Sequence, residues 1–216
     1  MAETVTVDTL TRWLRRFAAD ISAQADWLTE LDSAIGDADH GTNMVRGTKA
    51  VVAKLDAAAP ATAPELFKSV GMTLISSVGG ASGPLYGTFF LEMARHSPST
   101  SELTPDELDA ALHAGLDGVV SRGHAELGDK TMIDALTPAL AALTEARSAG
   151  RALPAALTAA ADAAAAGRDA TLPLVARKGR ASYLGDRSAG HLDPGAASTA
   201  ILLADLAAVV AEEPSA

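Results

Sequence analysis

The chain has 216 residues, with 17 Lys and Arg against 27 Asp and Glu, a formal net charge of −10 and no cysteine. That length suits one large domain or two small ones, and a composition 48% hydrophobic and 20% charged excludes a disordered or collagenous chain. The acidic balance argues against a large nucleic-acid or anionic-membrane footprint, and the lack of cysteine excludes disulfides, thiolate metal sites and a Cys nucleophile.

Apolar residues Leu10, Trp13, Phe17, Ile21, Leu28 and Leu31 recur at helical spacing and predict one long first helix, capped by Asp8 and ending at Ile35-Gly36. A second helix carries Met44, Val45, Val51, Val52 and Leu55 and stops before AAAPATAP. The third runs from Pro64 through Leu66, Phe67, Val70, Leu74 and Ile75, and the fourth starts near Pro84 with Leu85, Phe89 and Met93. Thr104-Pro105-Asp106-Glu107 predicts a capping box opening a fifth helix through Leu108, Leu112, Leu116 and Val119 to Arg122-Gly123. Ile133, Leu136, Leu140 and Leu143 mark a sixth helix, and an Ala-rich seventh spans Pro154 to Val175. The last opens at Asp193-Pro194-Gly195 and carries Ile201, Leu202 and Leu206. No segment alternates with period two, so no strand is predicted.

Only 4% of residues are aromatic and roughly a fifth are Ala, the best helix former, so the core must come from helices packed closely over small side chains. The expectation is an all-α, up-and-down barrel or bundle of about eight antiparallel helices, forming one domain over residues 1–216. The opening MAETVTVDTL lacks a basic start followed by an apolar run, which predicts a cytoplasmic location. The uncharged run from Ser69 to Leu91 contains SSVGGASGPLYG, which reads as a loop rather than a membrane span.

Four connections are dense in Gly, Asp, Ser, His and Arg: DSAIGDADHGTN (32–43), SSVGGASGPLYG (76–87), RGHAELGDKT (122–131) and RKGRASYLGDRSAGHLDPGAAS (177–198). They follow the first, third, fifth and seventh predicted helices, and in an up-and-down bundle such loops share one end. One composite site is therefore expected there. Asp32, Asp37 and Asp39 lie close enough in sequence for mutual repulsion unless a hard divalent cation joins them, and oxygen-only ligation suits Mg²⁺ or Ca²⁺. Taken alone the same run also reads as an Asp-rich turn in which Asp39 caps the next helix. GGASG before Pro84 reads as a phosphate loop using Ser82 and helix N-terminal amides, or as a flexible turn. Arg177, Lys178 and Arg180 supply cations for polyphosphate, or form a solvated connection. His40 and His191 lie in loops, as a nucleotide contact or as surface histidines. Walker and Rossmann glycine motifs are absent, and no nucleophile elbow for a Ser-His-Asp hydrolase can be formed.

Together the motifs Asp32-Ser-Ala-Ile-Gly-Asp-Ala-Asp-His-Gly41, Ser77 to Gly87, Gly128-Asp-Lys-Thr-Met132 and Lys178 to Gly195 resemble the nucleotide-binding subunits of dihydroxyacetone kinases, the DhaL family. The resemblance covers almost the whole chain. It implies a barrel of eight antiparallel helices holding ADP or ATP and two Mg²⁺ at one end, with Asp32, Asp37 and Asp39 on the metal. It further implies His40, Gly41, Thr42 and Asn43 along the nucleotide, Ala81 and Ser82 at phosphate, Gly123, Thr131 and Met132 around the adenosine, and Arg180, Asp193, Pro194 and Gly195 closing the site. Thr42 departs from relatives that carry an apolar residue there. The implied reaction is phosphoryl transfer to dihydroxyacetone held covalently on a histidine of a DhaK-type subunit, with a DhaM-type subunit of the phosphotransferase system rephosphorylating the nucleotide in place. A stand-alone ATP-exchanging kinase for a related ketose or sugar acid, and a nucleotide-loaded module acting on a transcriptional regulator, remain alternatives. Neither nucleic acid nor a membrane is an expected partner.

Overall fold

The structure, a computed structural model, describes residues 4–213. Its helices are α1 (Val7–Ala23), α2 (Ala25–Ile35), α3 (His40–Ala57), α4 (Ala63–Ser77), α5 (Ser82–His96), α6 (Pro105–Gly123), α7 (Ile133–Ser148), α8 (Leu153–Ala170) and α9 (Pro194–Ala211). A 3-10 segment, Arg180–Ser188, lies between α8 and α9. Side-by-side packing runs α1, α3, α4, α5, α6, α7, α8, α9 and back to α1, so the helices close a ring around one hydrophobic core, with α2 continuing α1. This is the all-α barrel that the periodicity predicts.

Small residues permit the close packing. A Cβ on Gly71 would lie 2.8 Å from the Gly87 carbonyl across the α4–α5 seam. On α7, Pro138 has no N–H to offer the Asp134 carbonyl four residues earlier. Gly167 of α8 passes that carbonyl so closely that a Cβ would sit 2.2 Å from it. Six of the eight aromatic residues lie in the ring's interior, where Phe90 meets Trp13, Phe67 and Phe89, while Trp27 is partly buried and Tyr183 is exposed. Among the described residues α9 is long and apolar enough to cross a membrane, yet most of it is buried against α1, α2, α7 and α8.

Several boundaries depart from the sequence expectation. The first helix is two: the chain kinks at Gln24, beside the point where Gly41 of α3 would place a Cβ 2.0 Å from the Ala25 carbonyl. Thr6, not Asp8, caps α1, its hydroxyl accepting the Thr9 N–H at 3.1 Å. A two-residue antiparallel pair, β1 (Val5–Thr6) and β2 (Glu102–Leu103), is too short to show an alternating pattern. Helix α5 begins at Ser82, so the Gly-rich loop supplies its first turn. Helix α8 stops at Ala170 rather than Val175, because Pro173 follows and a lysine takes the carbonyls of Thr171 and Leu174. The capping box on α6 is present, with Thr104 N–H donating to Glu107 Oε2 at 2.8 Å.

Candidate functional site

The four unusual connections meet at one end of the ring around a cleft of about 360 Å³. Larger surface grooves near Arg12 and between α5 and α6 gather no glycine-rich loop. The acidic wall forms where α2 turns into α3. Asp32 is buried at the end of α2, and its Oδ2 accepts the N–H of Asp39 at 2.8 Å and of His40 at 3.1 Å. The turn is tight: a Cβ on Gly36 would lie 2.0 Å from Asp32 Oδ1. Ala38, at φ 61, adopts the left-handed conformation that brings Asp37 and Asp39 back toward Asp32. One carboxylate oxygen from each aspartate then lies within 4.8 Å of the others. Asp39 immediately precedes α3, but its side chain makes no capping bond, contrary to the turn reading.

Three carboxylates this close repel by roughly 4 kcal/mol per pair at an effective dielectric near 20. Arg180 offsets part of that at Asp37, with Nη2 at 2.9 Å from Oδ2. The rest suits a hard divalent cation: the donors are all oxygen and one edge of the group is open to solvent, which fits Mg²⁺ completed by water and phosphate.

The glycine loop stands opposite. Gly80, at φ 65, turns the chain into α5, whose first N–H groups have no side-chain cap and point at the cleft end of the ring. Asn43 from α3 lies beside the loop, since a Cβ on Gly79 would approach its Oδ1 to 2.8 Å. His40 joins the walls: Nε2 is 2.9 Å from Ser198 Oγ and Nδ1 is 3.3 Å from Ser82 Oγ. Tyr86 extends the chain inward, its hydroxyl 2.7 Å from Ser198 Oγ and 3.0 Å from Thr199 Oγ1. Burial pushes the His40 imidazolium down to about 4, outweighing Asp32 and Asp39, so the ring is neutral at pH 7. Burial likewise lifts the Tyr86 phenol to about 12.

The third and fourth walls are tied together from below. Asp134 holds the 128–131 turn by accepting the N–H groups of Gly128 and Thr131. Asp193 caps α9 by accepting the Ala196 N–H at 2.7 Å, and its own N–H donates to Thr171 Oγ1 at 3.0 Å. Burial raises the Asp193 carboxyl to about 7 despite that cap and despite Lys130 nearby.

Of the residues singled out from the sequence, Asp32, Asp37, Asp39, His40, Asn43, Ala81, Ser82, Thr131, Met132, Arg180, Asp193, Pro194 and Gly195 line this cleft. Lys178 does as well, whereas Gly41, Thr42, Gly123, Arg177 and His191 do not. Gly41 is buried against α2, Thr42 is exposed with its hydroxyl donating to the Asp39 carbonyl, and Gly123 ends α6 facing Leu85, which does line the cleft. Sequence reading passed over Lys130, Asp134, Tyr86 and Ser198.

Residues 34–208 match the DAK2 domain family. The chain is 47% identical over 203 residues to the "PEP-dependent dihydroxyacetone kinase, ADP-binding subunit DhaL" of Escherichia coli K12, covering 94% of this chain and 97% of that one. It is 42% identical to the "PTS-dependent dihydroxyacetone kinase, ADP-binding subunit DhaL" of Lactococcus lactis, covering 96% and 100%. Among solved structures it superposes on the dihydroxyacetone kinase of C. freundii in complex with AMP-PNP and Mg²⁺ at a TM-score of 0.70 and 29% identity. That match covers 92% of this chain and spans about a third, 33%, of the C. freundii chain. The chain belongs to the DAK2 domain family and, within it, stands with the DhaL subunits.

Proposed function

We propose that residues 1–216 form one domain acting as the nucleotide-binding subunit of a phosphoenolpyruvate-dependent dihydroxyacetone kinase in the cytoplasm. The observation that carries this reading is the facing of a three-carboxylate cluster and an uncapped, glycine-led helix N-terminus across one cleft. Its relatives' names supply the reaction: they are ADP-binding subunits of dihydroxyacetone kinases.

When bound, ATP would supply the transferable phosphoryl group and become ADP, and two magnesium ions would spread the charge on that group. Asp32, Asp37 and Asp39 hold the cations. Ser82, Ala81 and the amides opening α5 bind phosphate, while His40 keeps Ser82 in place and Asn43 supports the glycine loop. Thr131 and Met132, with Gly123 behind Leu85, border the nucleoside, and Gly41 and Thr42 set the start of α3. Arg180 stands at the mouth with Asp193, Pro194 and Gly195 beneath it, placing a cation where charge moves. A DhaK-type subunit presents dihydroxyacetone and a DhaM-type subunit returns the phosphoryl group to ADP held on this chain.

The test is nucleotide exchange on the purified chain. ADP that co-purifies, survives dialysis against labelled ATP and becomes ATP only with phosphoenolpyruvate and the phosphotransferase proteins is the expected result. Rapid exchange of the bound nucleotide for free ATP would overturn the phosphoenolpyruvate-driven mode.

A further inference from the structure

The basic side of the cleft belongs to a long excursion between α8 and α9, residues 171–193, and what fixes it lies outside it. Lys130, in the turn before α7, is 1% exposed and holds a left-handed backbone at φ 64, a conformation in which side chains are rarely tolerated. Its ammonium meets no carboxylate at ion-pair distance among the described residues. It donates instead to four main-chain carbonyls, those of Thr171 at 3.0 Å, Leu174 at 3.1 Å, Ser188 at 2.7 Å and His191. Two belong to the outgoing limb of the excursion and two to the returning limb. The limbs also meet directly, through Gly190 N–H on the Leu172 carbonyl at 2.7 Å and Ser188 Oγ accepting the Ala176 N–H at 2.8 Å. Arg177 N–H donates to the carbonyl of Asp129, the residue beside Lys130.

Of these carbonyls only that of Thr171 also takes a main-chain N–H, from Leu174 at 3.1 Å, and converging carbonyls of this kind are the complement of a cation, here an ammonium whose three hydrogens are shared among the four oxygens. We propose that Lys130 is a positioning residue that closes the base of the 171–193 excursion through this carbonyl cage and thereby holds Arg180 at the mouth of the cleft. The idea rests on the functional reading above for the role of Arg180, but not for the closure itself. Burial holds the Lys130 ammonium below its ordinary value, and Asp193 opposes that shift.

Limited trypsin digestion and kinetics of the assembled kinase test the two halves separately. Arg177, Lys178, Arg180 and Arg187 give trypsin four sites inside the excursion, and a fixed loop resists cleavage until it opens. Lys130→Met should keep its helical circular dichroism and be cut between residues 177 and 187 about tenfold faster than the wild type. Its kcat should fall about tenfold, and the same change made in an Arg180→Gln background should cost less than twofold more, because both act through one group. Should Lys130→Met fail to fold, Lys130→Gln, which keeps a donor and loses the charge, takes its place with the same expectations. A folded variant cut at the wild-type rate overturns the closure. Equal kcat losses in the two backgrounds overturn the action through Arg180. A chain that transfers no phosphoryl group at all defeats the functional reading, while the digestion rates still decide the closure.

Discussion

The two charged walls of the cleft are built in opposite ways. The acidic turn is local: within residues 32–40 one carboxylate organises the turn, the turn returns two more carboxylates, and Gly36 makes the tight approach possible. The basic excursion is far longer and is held from elsewhere, by Lys130 and Asp129 some 41 to 61 residues away from the chain they tie. A chelating group gains from a turn that forms whenever α2 and α3 form. A cation that must meet a transferring phosphoryl group gains from a segment fixed at its base and held at its tip only by the Asp37 pair and the packing of Ala181 on Ile35, where Arg180 stays 66% exposed.

The contrast breaks most severely at Asp32, which both orders the acidic turn and offers a ligand atom. Asp32→Ala should weaken Mn²⁺ and Mg–ADP binding by on the order of 10²-fold, the scale at which lost ligands and their supports act. Asp37→Asn, removing a partly exposed ligand that pairs with Arg180 but accepts none of the turn's N–H groups, should cost about tenfold. Isothermal titration of both variants decides it, and equal losses would mean that the turn does not depend on Asp32.

Acid and base test whether the loop and the barrel are separate units. Burial raises Asp193 to about 7 and Asp205 to about 8 from an ordinary 3.8. Asp205 sits on α9 against α1, its carboxyl facing Asp20 and Arg16, so it belongs to the barrel. In both cases the folded chain keeps a proton that the unfolded chain releases. Stability is therefore highest below about pH 4 with respect to these groups and declines as pH rises through 7 to 8. The wild-type melting midpoint should fall by on the order of 10 °C between pH 5.5 and 8.5, since each group loses about 1.4 kcal/mol per pH unit until its folded pKa is passed, about 5 kcal/mol for the two together. Asp205→Asn should flatten that decline without changing trypsin cleavage in the excursion. Asp193→Asn should flatten its own share and alter the cleavage rate. A midpoint that rises with pH would contradict both assignments.

The same division explains what the sequence made legible. The barrel's helices and the acidic turn were readable because both are short-range: apolar spacing marks a buried face, and carboxylates spaced around a glycine mark a converging turn. The kink at Gln24 carries neither glycine nor proline, so nothing in the residues announces it. Apolar residues continue from α8 as far as Val175, but Pro173 and the carbonyls bound by Lys130 end the helix at Ala170. Lys130 and Asp134 are not legible because their partners are main-chain atoms, identical in every residue, and Ser198 because its side-chain partners, His40 and Tyr86, lie more than 100 residues away. Gly41, Thr42 and Gly123 were placed with the nucleotide by motif, yet face a helix, solvent and Leu85.

The smallest expected effect lies where the two walls touch. Arg180 and Asp37 pair at 2.9 Å with both side chains more than a third exposed, so the pair is screened and adds less than about 1 kcal/mol to stability. Arg180→Gln should leave the melting midpoint within about 2 °C of the wild type. Cation binding without nucleotide is the more telling readout, because Asp37 cannot give the same oxygen fully to Arg180 and to a metal ion. Releasing that oxygen should tighten Mn²⁺ binding two- to fivefold, corresponding to about 0.4 to 1 kcal/mol. Lys178→Gln removes an equal charge from the same excursion without touching Asp37 and is the necessary control. If the two variants tighten Mn²⁺ equally, the gain is bulk charge and the walls are electrostatically independent. If only Arg180→Gln does, the acidic turn and the basic excursion compete for one carboxylate, and loading the metal frees the arginine at the tip of its loop.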